Sequence, residues 1–138
     1  MSQKHPTIEF NQQRQRVLSY LPKLKSAIDA GTSDLACAIV ERFCDTLVDY
    51  LSLGHFRIFD RLVPASHQYA AIEHTTRELM RFNDRFGNGV AYDLAELSAA
   101  LEQTALVIDA RLEVEDDLLH PVPLQGGRVA TSEQLAIA

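Results

Sequence analysis

Apolar residues recur at helical spacing along almost the whole of this chain, and no stretch alternates cleanly in the two-residue period of a strand. That pattern predicts an all-α fold. The first segment, about residues 7 to 29, carries Phe10, Val17, Leu21, Leu24 and Ile28 on one stripe; Pro22 is expected to kink or restart it, and Gly31 to stop it. The second begins after Thr32, Ser33 and Asp34, which are good N-capping residues. It keeps Ala36, Val40, Phe43, Leu47 and Leu51 in register and has the pattern to run on through Gly54 toward Leu62. Pro64 punctuates. A third segment from about Ser66 to Phe86 aligns Tyr69, Ile72, Leu79 and Phe86, and Gly87-Asn88-Gly89 is a turn signal. The fourth starts near Asp93, which forms a capping-box pattern with Glu96, carries Leu94, Leu97, Leu101, Ala105, Ile108 and Leu112, and ends at Pro121 and Pro123. Four amphipathic segments with short connections predict an antiparallel four-helix bundle over residues 1–123, followed by a mobile tail over 124–138.

The 138 residues suit one domain with a genuine core. The formal charge of −6 disfavours direct nucleic-acid binding and favours a basic protein partner. No apolar run approaches a membrane span, and residues 1–6 lack the apolar stretch of a signal peptide, so a cytoplasmic protein without membrane contact is expected. Cys37 and Cys44 lie seven apart on one predicted helix, about 10 Å by helical rise, too far to bridge; free thiols that serve as small buried hydrophobes are expected.

The buried stripes leave some residues unexplained, and these are the candidates for function. With Leu47 at the centre of the second helix's buried stripe, Asp45, Asp49, Ser52 and Phe56 fall on the opposite side. An outward aromatic beside carboxylates has the composition of a protein-binding hot spot. If Gly54 breaks the helix, Phe56 instead turns back into the core. On the fourth helix Glu115 falls close to the buried stripe, one turn after Arg111. A buried carboxylate needs partners, and Arg111 at i−4 and His55 at the edge of the second helix's stripe are the two in reach, which makes an internal polar network. Around them, from Asp93 to Pro121, eight Asp and Glu residues accompany one basic residue, Arg111. Such a run is an ordinary solvated face that can also steer a basic partner.

Residues 43 to 63, FCDTLVDYLSLGHFRIFDRLV, resemble the signature of the Rsd/AlgQ family of sigma-factor regulators, and residues 107 to 119, VIDARLEVEDDLL, resemble its closing motif. The resemblance covers about residues 33 to 121. It implies a helical bundle that binds the C-terminal promoter-recognition region of the primary sigma factor and withholds it from core RNA polymerase and from the −35 element. On this chain it implies partner contacts from Asp49, Ser52, His55 and Phe56, together with Arg111, Glu115 and Asp116. The family's first helix usually carries a tryptophan, and this chain has none.

Two other classes fit parts of the pattern. GHFRIFDRLV and ARLEVEDDLLHP also resemble motifs of hemerythrin-like metal bundles. The position four before Glu115 is, however, Arg111, which cannot coordinate a metal, and His67 and His74 point outward on the third-helix wheel. No metal and no cofactor are therefore expected. A catalytic role lacks a nucleophile motif or a glycine-rich phosphate loop, so no enzyme is expected. A helical regulator of another cytoplasmic protein, or a homodimer, is compatible with the same exposed aromatic and acidic face.

Overall fold

The computed structural model describes residues 6–59 and 67–119. The connection around Pro64 and the expected mobile tail lie outside the described residues. Four α-helices account for the fold: α1 (Pro6–Asp29), α2 (Ser33–Leu53), α3 (His67–Phe86) and α4 (Leu94–Leu119). A π-helical turn, Gly54–Ile58, continues directly from α2. Among the described residues there is no strand, and no helix is long and apolar enough to cross a membrane.

Cross-helix contacts fix the antiparallel order. Phe10 near the start of α1 stacks on Tyr50 near the end of α2, with ring centroids 5.3 Å apart. Phe43 of α2 meets Phe82 of α3 edge-on at 5.5 Å. Arg111 late in α4 hydrogen-bonds the Ile72 carbonyl early in α3, and Arg14 early in α1 pairs with Glu115 and Asp116 late in α4. Of the residues that the apolar periodicity places on the stripes, Phe10, Val17, Leu24, Ala36, Val40, Phe43, Leu47, Leu51, Ile72, Leu79, Phe86, Leu97, Leu101 and Ile108 are buried, whereas Leu21, Ile28, Tyr69, Leu94, Ala105 and Leu112 are only partly buried.

Helix boundaries follow local chemistry. Gly31, at φ +71°, closes α1. Its N–H donates to the Ile28 carbonyl and the Thr32 N–H donates to the Ala27 carbonyl, the pair of bonds that satisfies orphan carbonyls at a helix end. The Asp93 carboxylate accepts the Glu96 N–H at 2.8 Å, so the predicted cap of α4 forms. Two expectations are corrected. α1 does not restart at Pro22 but runs through it as one helix; the proline side chain is exposed, and Val17, Leu24 and Ala27 hold both halves on the core. α2 starts at Ser33, and the Thr32 side chain makes no capping hydrogen bond.

Candidate functional site

The helix does not break at Gly54. Its N–H donates to the Leu51 and Tyr50 carbonyls, and the chain then widens by one residue per turn, so that the Phe59 N–H reaches the Gly54 and His55 carbonyls. The reason for a glycine is local. A Cβ at position 54 would lie 3.0 Å from both Phe10 Cε1 and Phe59 Cε2. The widened turn also explains Phe59. On an unbroken α-helical wheel it would sit about 120° from Leu47, toward solvent, yet it is fully buried, edge-on to Phe10 at 5.5 Å.

The outward side of α2 and of this turn carries Asp45, Asp49, Ser52, His55 and Phe56, all exposed. Phe56 is 67% exposed, and its ring meets His55 edge-on at 4.7 Å. Asp45, Asp49, Ser52 and Phe56 follow one another at four, three and four residues, the spacing that puts side chains on one helix face. A largely exposed aromatic ring thus shares a helix face with two carboxylates, a composition found in protein-binding surfaces.

The second group is internal. Glu115 is 0% and Arg111 1% exposed. Arg111 Nε donates to Glu115 Oε2 at 2.8 Å, and Arg111 Nη1 is directed at the Ile72 carbonyl and at the hydroxyls of Thr75 and Thr76, 2.7 to 3.2 Å away. Those hydroxyls in turn donate to backbone carbonyls of α3. Tyr50 Oη donates a short hydrogen bond to Glu115. Arg14 Nη1 bridges Glu115 at 3.3 Å and Asp116 at 2.9 Å. Burial works against the charged form of Arg14, but its bonds to Asp116 and Glu115 outweigh that and raise its pKa. For Tyr50, burial and then the nearby Glu115 charge push the phenol pKa up.

The predicted network is therefore present with a different membership. Arg111 pairs with Glu115 as expected, but His55 does not: the π-helical turn carries it outward against Phe56, and Tyr50, one turn earlier and facing inward, takes its place. Arg14 was not foreseen, because a wheel drawn for one helix is blind to a partner 101 residues away. Tyr50 was findable, since a phenol close to the buried stripe of α2 requires an acceptor. Sealed in this way, Arg111 and Glu115 are not surface contacts, which corrects their place among the partner-facing residues; their charges are spent on each other and on the fold. Asp116, with its side chain 55% exposed, remains at the surface and is tied to Arg14. Arg111 also fills the position where a metal bundle would need a histidine, and among the described residues no group of three or more His, Cys, Asp or Glu could hold a metal ion.

Fold and site together define a class: an acidic helical bundle whose buried polar groups hold the structure and whose exposed aromatic face is composed like a docking surface. A family model described as "Regulator of RNA polymerase sigma(70) subunit, Rsd/AlgQ" matches residues 2–122. The chain belongs to the Rsd/AlgQ family. This is a family of sigma-subunit regulators and not an enzyme class. The match includes the whole of α1, despite its lack of tryptophan. Among similar proteins, the "Regulator of sigma D" of Yersinia enterocolitica (serotype O:8 / biotype 1B) is 35% identical over 95 residues, 59% of this chain and 57% of that protein. The protein of that name from Yersinia pseudotuberculosis (strain IP 31758) is 34% identical, over 59% of this chain and 56% of its own length. That of Enterobacter sp. (strain 638) is 30% identical over 92 residues, 58% of this chain and 56% of its own length. The matched part thus spans little more than half the length of these relatives. No solved structure is a significant match.

Proposed function

We propose that this chain is an anti-sigma factor of the cytoplasm that binds the C-terminal promoter-recognition region of the primary sigma factor through the outward face of α2. The observation that carries the reading is Phe56, 67% exposed at the end of an unbroken helical face that also displays Asp45, Asp49 and Ser52. Membership of a family of sigma(70) regulators supplies the partner class. The promoter-recognition region is a helix-turn-helix module with a basic face, and carboxylates presented from a helix can occupy the Arg and Lys side chains that otherwise meet phosphates. On this reading Phe56 enters an apolar depression of the partner, Asp49 and Asp45 pair with basic side chains, and Ser52 and His55 complete the contact. Asp116 lies on α4 beside Arg14 and adds to the negative field that steers the partner in. The protein contacts no DNA directly; it removes the module that does.

Isothermal titration of the purified chain with the isolated sigma C-terminal region tests this. Phe56→Ala is expected to weaken binding by about 2 to 4 kcal/mol and Asp49→Ala by about 1 to 3, with helicity unchanged in both. Association is expected to slow as salt rises. Absence of binding at micromolar protein defeats the functional assignment, and two variants that bind like the parent defeat the choice of face.

A further inference from the structure

At one end of the bundle α1 and α4 are tied by Arg14, which bonds Glu115 and Asp116. Toward the other end no hydrogen bond or ion pair joins them among the described residues. There the two helices leave a groove of about 530 Å³, lined by Leu21, Pro22, Ile28, Leu101, Ala105 and Leu106, with Lys25 and Asp29 on the α1 side and Glu102 on the α4 side. Leu106 is 63% exposed. A leucine held out in solvent beside an apolar groove marks a surface that a protein covers. The charged side chains of the groove are all exposed, so they do not converge inside it as the polar anchors of a small-molecule site do.

Charge selects the occupant. α1 carries four basic and two acidic residues, whereas α4 carries seven acidic and one basic. Two neighbouring helices of opposite sign make a face that complements itself. When two copies meet face to face about a two-fold axis parallel to the helices, α1 of each lies on α4 of the other. An axis across the helices would set α1 on α1 and α4 on α4, with like charges opposed. The parallel axis keeps every residue at its own height along the bundle, so Lys25 comes opposite Glu102 of the other copy, because both border the same stretch of groove. Within its own chain Lys25 pairs with Asp29 at 3.5 Å in an exposed contact one turn away, a kind that contributes little. Glu102 forms no ion pair among the described residues. We propose that this groove is the contact of a symmetric dimer of the chain, in which Leu106 of each copy packs against α1 of the other and Lys25 of each faces Glu102 of the other. Two chains of net charge −6 repel at a distance, so the dimer is weak, with a dissociation constant of roughly 10 to 100 μM. None of the residues lining the groove lies on α2, so this contact and the sigma-docking face stand or fall separately.

Sedimentation equilibrium of the full chain at concentrations from about 5 to 500 μM reads the dimer directly. The weight-average mass is expected to rise from one chain toward two. Leu106→Glu is expected to weaken dimerisation at least about tenfold. Lys25→Glu and Glu102→Lys each set like charges opposite one another at both symmetric positions and are expected to weaken it at least about threefold, whereas the double variant, with the charges exchanged, returns to within about twofold of the parent. All of these positions are exposed, and the helical spectrum is expected to stay that of the parent. A chain that remains monomeric to about 500 μM overturns the proposal, and groove amides that then respond to the sigma C-terminal region assign the groove to that partner instead. A Leu106→Glu variant that dimerises like the parent, or a double variant that does not recover, overturns it equally.

Discussion

Replacing Glu115 by alanine measures how far the interior of the bundle depends on one carboxylate. Three donors converge on it: the Tyr50 hydroxyl and Arg111 Nε on one oxygen, and Arg14 Nη1 on the other. Without it, the Arg111 guanidinium, 1% exposed, keeps its charge and loses its counter-charge. Breaking a buried ion pair from one side costs about 3 to 5 kcal/mol, and an orphaned buried hydroxyl at Tyr50 adds about 1 to 3 kcal/mol. The two effects share one pocket and relax together, so they do not add fully, and a loss of about 4 to 6 kcal/mol is expected. Arg14 adds little, since it is partly solvated and retains Asp116. A domain of this size is stable by about 5 to 15 kcal/mol, so the alanine variant can be left mostly unfolded. Glu115→Gln covers that outcome: it keeps the shape and one carbonyl acceptor, loses the charge, and is expected to cost about 2 to 4 kcal/mol. Urea denaturation followed by far-ultraviolet circular dichroism reads both. If both variants lie within about 1 kcal/mol of the parent, the reasoning about this network is refuted.

Gly54→Ala should lower stability by about 1 to 3 kcal/mol in a thermal melt, because the added methyl meets Phe10 and Phe59 at 3.0 Å in a packed aromatic cluster; a stabilised variant, as helix propensity alone would give, contradicts the packing. The two thiols should differ: Cys37 is exposed, whereas Cys44 is buried and its thiol is pushed up to about 12 by burial and then by the charge of Asp45. A disulfide reagent is expected to modify one cysteine quickly in native protein and both in urea, and equal native rates would count against that burial. Stability should also fall in alkali. Cys44 and Tyr50 hold their protons more tightly folded than unfolded; the contribution of Cys44 is whole below an unfolded thiol pKa of 9.0 and is lost as pH rises through about 12, and that of Tyr50, whose pKa is raised from 10.0, is lost over a more alkaline range. The slope is at most about 1.4 kcal/mol per pH unit for each group, and a melting temperature flat from neutrality to strong alkali would exclude it.

The helices were legible because each has a face that must be buried, and a face repeats: Ala36, Val40, Phe43, Leu47 and Leu51 are placed by their spacing alone. The cap at Asp93 was legible because its chemistry is local. Pro22 misled, since a missing backbone bond on an exposed turn is a cost that packing on either side can override. The π-helical turn leaves no periodic sign; what sets it is the meeting of Gly54 with the rings of Phe10 and Phe59, a contact between segments distant in sequence. For that reason His55 was misjudged and the burial of Phe59 could not be read from the spacing, while Phe56 was placed outward correctly. The interior site was half legible on the same grounds. Arg111 and Glu115 share a helix, but Arg14 and Tyr50 reach them only through the fold.

The central claim is that the outward face of α2 is where the sigma factor docks. It is tested most directly by titrating isotope-labelled protein with the unlabelled C-terminal region of the primary sigma factor and following the backbone amides by NMR. The account predicts that the resonances perturbed first and most run from Asp45 through Phe56, with those of the α1 and α4 surfaces between Leu21 and Leu106 unmoved. Perturbations centred on the α1 and α4 surfaces with the Asp45–Phe56 amides unchanged, or none at all at saturating sigma factor, would contradict it.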